Sequence, residues 1–182
     1  MSETRHNRPR PATPLYLATL LLIVPAALLG QAPASTDDGD FASVAHRKAT
    51  VLLADYSVNE WTEAAKLLET AADARPRGDA AAVSERLAAA ELFHYMGSLA
   101  RAQYNLEAAA RQAMAEERIF DTAEILLKAA TVAKERGQLN EALAYARSAE
   151  WLATSPRLTP AESAHIRKGV ALEPLQGRTR GT

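Results

Sequence analysis

The chain has 182 residues, with 21 basic against 22 acidic side chains for a net charge of −1, and no cysteine. A near-neutral balance of mixed sign gives no electrostatic footprint for nucleic acid and no polybasic patch for anionic lipid. The lack of cysteine excludes a disulfide frame, a thiolate metal site and a lipidated thiol, so a chain long enough for one domain must hold its core by packing alone.

Met1 to Pro14 carries Arg5, Arg8 and Arg10 among prolines and polar residues, and an apolar run from Leu15 to Leu29 follows. Ala32-Pro33-Ala34 supplies small residues where a signal peptidase would cut. Basic head, apolar middle and small-residue exit predict a secretory signal over residues 1–34 and an exported chain, periplasmic or secreted. The run is short of the roughly 20 residues a membrane helix needs, which favours cleavage over retention as an N-terminal anchor. Cleavage would leave 18 basic and 21 acidic groups, a charge of −3.

Residues 35–40 (Ser-Thr-Asp-Asp-Gly-Asp) read as a flexible leader, with Asp40 a candidate helix cap. Phe41, Val44, Val51, Leu52 and Tyr56 recur at helical spacing and predict a first helix that buries them while His46, Arg47, Lys48 and Asp55 face water. Ser57-Val58-Asn59-Glu60 has the form of a capping box before a second helix to Ala74, with Trp61, Ala64, Ala65, Leu68 and Ala71 on one stripe. Arg75-Pro76-Arg77-Gly78 stops it, and Asp79 caps a third helix to about Tyr95, which Gly97 ends. A longer fourth helix is expected from Ser98 to about Ile119. Asp121-Thr122-Ala123-Glu124 then reads as the cap of a fifth, Thr122 to Arg136, ended by Gly137. The sixth, about Leu139 to Ala153, should bury Leu139, Ala142, Ala146, Ala149 and Leu152 and stop at Ser155-Pro156. Thr159-Pro160-Ala161-Glu162 is a threonine cap, a proline in the first helical position and a reciprocating glutamate. It starts a capping helix (159–173) whose Ile166, Val170 and Leu172 cover the open end, and 174–182 is expected to be a disordered tail.

The helical segments echo one another. Met96-Gly97-Ser98-Leu99 through Ala102 to Ala109 matches Arg136-Gly137-Gln138-Leu139 through Ala142 to Ala149 at an offset of forty residues, and Ala89-Ala90 matches Ala129-Ala130. A third copy without the glycine runs from Trp61 through Ala64 and Ala71 to Pro76. A period in this range marks stacked helical hairpins. Alanines stand where two helices come close, and glycines stand between helices where a positive φ turns the chain.

At Ala90, Gly97, Ala102 and Ala109, at Ala130, Gly137, Ala142 and Ala149, and at Ala64, Ala71 and Pro76, the chain resembles the tetratricopeptide repeat family. The likeness spans about residues 41–156, as repeats 41–76, 79–119 and 121–156. Departures are alanine or polar residues at the family's aromatic and leucine positions, and a period above 34. The resemblance implies an all-α, right-handed stack of three antiparallel helix pairs, an α-solenoid plus the capping helix, whose first helices line a concave groove for a peptide or a partner's helix. Carried over by alignment, the groove candidates are His46 and Tyr56, then Glu91, His94 and Tyr95, then Thr131, Lys134 and Glu135. Histidine and tyrosine combine a flat apolar face with a hydrogen-bonding tip, which suits such a surface.

No ingredients of an active site converge. His46, His94 and His165 are far apart with no His-Glu-x-x-His spacing, and neither a Gly-rich phosphate loop nor a Gly-x-Ser-x-Gly elbow occurs. The expectation is an interaction module, not an enzyme, with no cofactor and no metal, and with a protein or peptide partner. The alternative is a structural subunit of an envelope complex, tethered by an uncleaved Leu15–Leu29 segment. Self-association through the open end of the stack is a third arrangement.

Overall fold

The structure, a computed structural model, describes residues 41–54 and 57–172. The signal over 1–34, the leader 35–40, Tyr56 and the tail 174–182 lie outside the described residues. Among the described residues there are seven α-helices: α1 (Phe41–Leu53), α2 (Val58–Ala74), α3 (Ala80–Tyr95), α4 (Leu99–Ala115), α5 (Ile119–Glu135), α6 (Leu139–Leu152) and α7 (Pro160–Leu172). No strand occurs among the described residues. From α1 to α6 each helix packs on the next, and α7 packs on both α5 and α6. The all-α class and the neighbour-on-neighbour packing agree with the sequence reading.

The core is built largely of alanine: Ala64, Ala65 and Ala71 in α2, Ala89 and Ala90 in α3, Ala102 and Ala109 in α4, Ala129, Ala130 and Ala133 in α5, and Ala142, Ala146 and Ala149 in α6 are buried. A methyl group lets helix axes approach closely while keeping the highest helix propensity. Larger side chains fill the remaining gaps, with Trp61, Leu68, Val83, Phe93, Leu106, Ile125 and Ile166 buried.

Three turns repeat one geometry. At Gly97 the amide donates to the His94 carbonyl at 2.9 Å and the Ser98 amide to that of Phe93 at 2.7 Å. Gly137 and Gln138 donate in the same way to Lys134 and Ala133, and Glu117 and Arg118 to Met114 and Ala113. Each is a paired C-terminal cap with its pivot in the left-handed region, φ 74° at Gly97, 59° at Glu117 and 77° at Gly137. The pivots follow one another at twenty-residue steps.

That middle turn corrects two boundaries. The fourth helix ends at Ala115, not near Ile119, and the fifth begins at Ile119, not Thr122. A glutamate holds the position that glycine holds in the other two turns, so the break carries no glycine signal. Asp121 lies inside the first turn of α5, where its carboxylate accepts from Arg118 Nε at 2.8 Å, and is not a cap. The extra residues assigned to a long fourth helix belong to this turn.

The stripe on α1 is also corrected. Its buried side chains are Ala42, Ala45 and Ala49, while Phe41 and Val51 are 62% and 71% exposed. Ala42 and Ala45 pack against Ala71 with Leu67 beside them, and so close a helix pair has no room for the larger residues. Leu139, expected inside, is 59% exposed in the first turn of α6. Other starts are as read. Glu60 N–H donates to Ser57 Oγ, and Ala81 N–H to Asp79 Oδ1. Thr159 and Glu162 form both halves of a capping box, at 3.2 Å and 2.8 Å. The backbone amide and then the hydroxyl of Thr159 hold the Glu162 carboxyl below its ordinary value. Ile166 seats α7 on Ala123, Ala149, Leu152 and Ala153.

Candidate functional site

The first helices of successive pairs, α1, α3, α5 and then α7, are tied to one another by a repeated chemical pairing. His46 of α1 meets Glu85 of α3 at 2.9 Å, His94 of α3 meets Glu135 of α5 at 2.7 Å, and His165 of α7 meets Glu124 of α5 at 3.3 Å. Lys128 of α5 adds a second link to α3 through Glu91 at 2.8 Å. These contacts place α3 and α5 side by side with side chains bridging them.

Between α3 and α5 lies an open cleft of about 230 Å³, lined by Ala90, Glu91, His94, Leu106, Lys128, Thr131 and Val132. Ala90, Leu106 and Val132 are buried and apolar, and Leu106 reaches in from α4. The Glu91–Lys128 and His94–Glu135 bridges join α3 to α5 beside this apolar lining. An apolar depression with a few polar groups accepts an apolar side chain and fixes its orientation through the surrounding polar atoms. The volume is below the 300 Å³ or more of ordinary small-molecule sites, and suits one or two side chains of a peptide.

The structure brings together part of the candidate set. Glu91, His94 and Thr131 line the cleft, and Glu135 joins them through His94. Tyr95 does not line it: the ring packs edge-on against Trp61 at 5.4 Å between centroids and is more than half exposed. Lys134 is absent from the lining. His46 is engaged with Glu85 at the α1–α3 contact, away from these lining residues. Tyr56 lies outside the described residues.

Sequence reasoning missed a set of buried polar residues: Glu85, Arg86, Gln103, Asn105 and Thr122. Glu85, 2% exposed, accepts from Arg75 Nη2 at 2.7 Å and Nε at 3.0 Å as well as facing His46. Burial pushes its carboxyl upward, but the hydrogen bonds with His46 and Arg75 and the guanidinium charge outweigh it, holding the group below its ordinary value. The hydrogen bond to Glu85 holds the Arg75 guanidinium correspondingly above its own. Asn105, fully buried, donates to Glu69 and to the Arg101 carbonyl and accepts from Arg86, which also pairs with Asp73. Gln103 donates to Glu107, Glu141 and Tyr145 and accepts from Arg136 at 2.6 Å. The Asn105 and Gln103 networks bind second helices to one another, α4 to α2 and α4 to α6, as the histidine–glutamate pairs bind first helices.

Among the described residues no group of three or more histidine or carboxylate side chains could hold a metal ion, and no helix is long and apolar enough to cross a membrane. Comparison with protein-family models, with curated proteins and with solved structures finds no match.

Proposed function

We propose that this chain is an exported helical-repeat module of tetratricopeptide type, without catalytic activity, that holds a peptide or partner helix against the α3–α5 cleft. In this reading the helix pairs form a right-handed stack, with α1, α3 and α5 on its concave side. The observation that carries it is the cleft itself, in which Ala90, Leu106 and Val132 offer an apolar seat beside Glu91–Lys128 and His94–Glu135. An extended or helical ligand gains affinity by burying one apolar side chain there, while the paired charges select its neighbours.

A photo-crosslinking residue placed at Thr131 in the full chain tests this, with one at the exposed Ser148 of α6 as control. The expected result is a protein captured from position 131 and not from 148, which binds the purified chain and loses that binding when Thr131→Arg fills the cleft. Equal capture from both positions, or binding indifferent to Thr131→Arg, would overturn the reading.

The second reading, a tethered structural subunit, is favoured by the Leu15–Leu29 run. Mass determination of the chain from envelope preparations separates the two. An N-terminus near Ser35 removes the tether and leaves the module.

A further inference from the structure

The helix that begins the packing order keeps one side uncovered. Ala42, Ala45 and Ala49 of α1 are buried, the first two against Ala71 of α2, while Phe41, Val44, Lys48 and Val51 are exposed. These four are separated by three, four and three residues, the spacing of a contact seam between two helices, and the aliphatic stem of Lys48 completes an apolar line. Each later first helix lies against the second helix before it, α3 on α2, α5 on α4 and α7 on α6. Among the described helices α1 has none before it, so its seam is unmade where the rest of the fold makes one.

Charge selects the occupant. Arg47 and Lys48 are exposed at the stripe, and α1 contains no acidic residue. Two copies meeting through α1 would put two arginines and two lysines into one seam with no acid in either helix. A copy added end to end would offer α7, whose exposed Arg167 and Lys168 are again basic and whose Glu162 is held by Thr159. Like charges across an interface suppress both arrangements, and opposite charges favour a partner. An anionic lipid surface is drawn by clusters of about four or more basic residues, against two on α1. An acidic helix answers both the charge and the seam.

We propose that the exposed face of α1 docks a helix of a second protein, apolar along one seam and acidic on its flanks, which adds one helix before α1. Phe41, Val44 and Val51 supply the apolar contact, and Arg47 and Lys48 pair with the partner's carboxylates. The 13 residues of α1 make a helix of about 20 Å, so a partner of roughly four turns matches it end to end. This face is separate from the α3–α5 cleft, and the inference stands without it.

The test titrates the isotope-labelled full chain with a synthetic helical peptide of about five turns, leucine at its seam positions and glutamate on both flanks. A second peptide carries lysine in place of glutamate. The expected result is amide shifts confined to α1, with the glutamate peptide bound on the order of fivefold more tightly, as two exposed ion pairs supply. Arg47→Glu with Lys48→Glu should reverse that preference, and Val51→Asp should abolish binding of both peptides. All three residues are exposed, so the variants should melt with the parent chain. No shift, shifts confined to the α3–α5 cleft, or equal affinity for the two peptides overturns the proposal. A dimer in sedimentation, or retention on phosphatidylglycerol vesicles, that Val51→Asp abolishes also overturns it, since a second copy or a lipid surface is then the occupant. So does a seam that binds the glutamate peptide only after residues 1–40 are removed, since the chain then covers α1 itself.

Discussion

Tyr145 of α6 donates its hydroxyl to Oε1 of Glu107 on α4 at 2.5 Å, a contact that spans two consecutive helix pairs and draws in Gln103. Burial first, and then the bond to the carboxylate, push the phenol up to about 12. The unfolded phenol titrates near 10, so between those values the folded chain binds more protons than the unfolded one. A folded pKa raised in this way contributes stability that is full below about pH 10 and is lost as pH rises toward about 12. Tyr145→Phe should therefore cost on the order of 1–2 kcal/mol at pH 7, and its denaturation curve should converge with that of the parent chain by about pH 12. A constant gap across that window would show that the phenol proton does not link the two pairs.

Glu117 stands in the left-handed region, where a side chain costs about 1 kcal/mol or more and glycine little. Its carboxylate also pairs with Arg157 at 2.7 Å, but both side chains are largely exposed and the pair is worth little. Comparing Glu117→Gly with Glu117→Ala removes the pair in both and isolates the backbone. Glycine should be the more stable by about 1 kcal/mol, read as a melting temperature roughly 3–5 °C higher. Equal melting points would place Glu117 outside the strained region.

Legibility in the sequence follows the range of the interactions. Capping residues and the glycines at 97 and 137 act within a turn of their own position, so Asp79, Thr159 and most helix ends were readable. The Glu117 turn was not, because nothing in a glutamate between Glu116 and Arg118 announces a positive φ. On α1 hydrophobic size does not predict burial, because close packing on α2 selects alanine. Buried polar groups were invisible for a different reason. Glu85 is burdened by burial and made tolerable by Arg75 and His46, the latter thirty-nine residues away, and Gln103 by Arg136 and Tyr145. Of the cleft, alignment found Glu91, His94 and Thr131 on the first helices but not Leu106, which enters from a second helix.

Glu85 makes a test of that dependence. Its carboxyl is held below the ordinary value, so it contributes stability above the unfolded carboxyl range, near pH 4.3, that is lost as pH falls through the folded value. Arg75→Ala leaves an almost fully buried carboxylate without its guanidinium and should cost about 3–5 kcal/mol. Adding Glu85→Gln to Arg75→Ala should recover part of that loss, because no charge then remains to be desolvated. Urea titrations of the two single variants and the double variant, repeated at pH 7 and pH 4, measure both effects. Strictly additive losses at pH 7 would mean that the two side chains do not act as a pair.

Ile166 tests whether the last helix behaves as a terminal unit. It is fully buried against Ala123, Ala149, Leu152 and Ala153, and among the described helices α7 packs chiefly on α5 and α6. Ile166→Ala would cost about 2–4 kcal/mol in a core that unfolds as one. In a stacked array each element is stabilised by its neighbours, so an end element can detach while the rest persists. The expected outcome is rapid amide hydrogen exchange confined to α7 and the start of its loop, with the melting of α1 to α4 little changed. Loss of protection spread evenly from α1 to α7 would show a single cooperative core, in which α7 is not a cap but a member of the same folding unit.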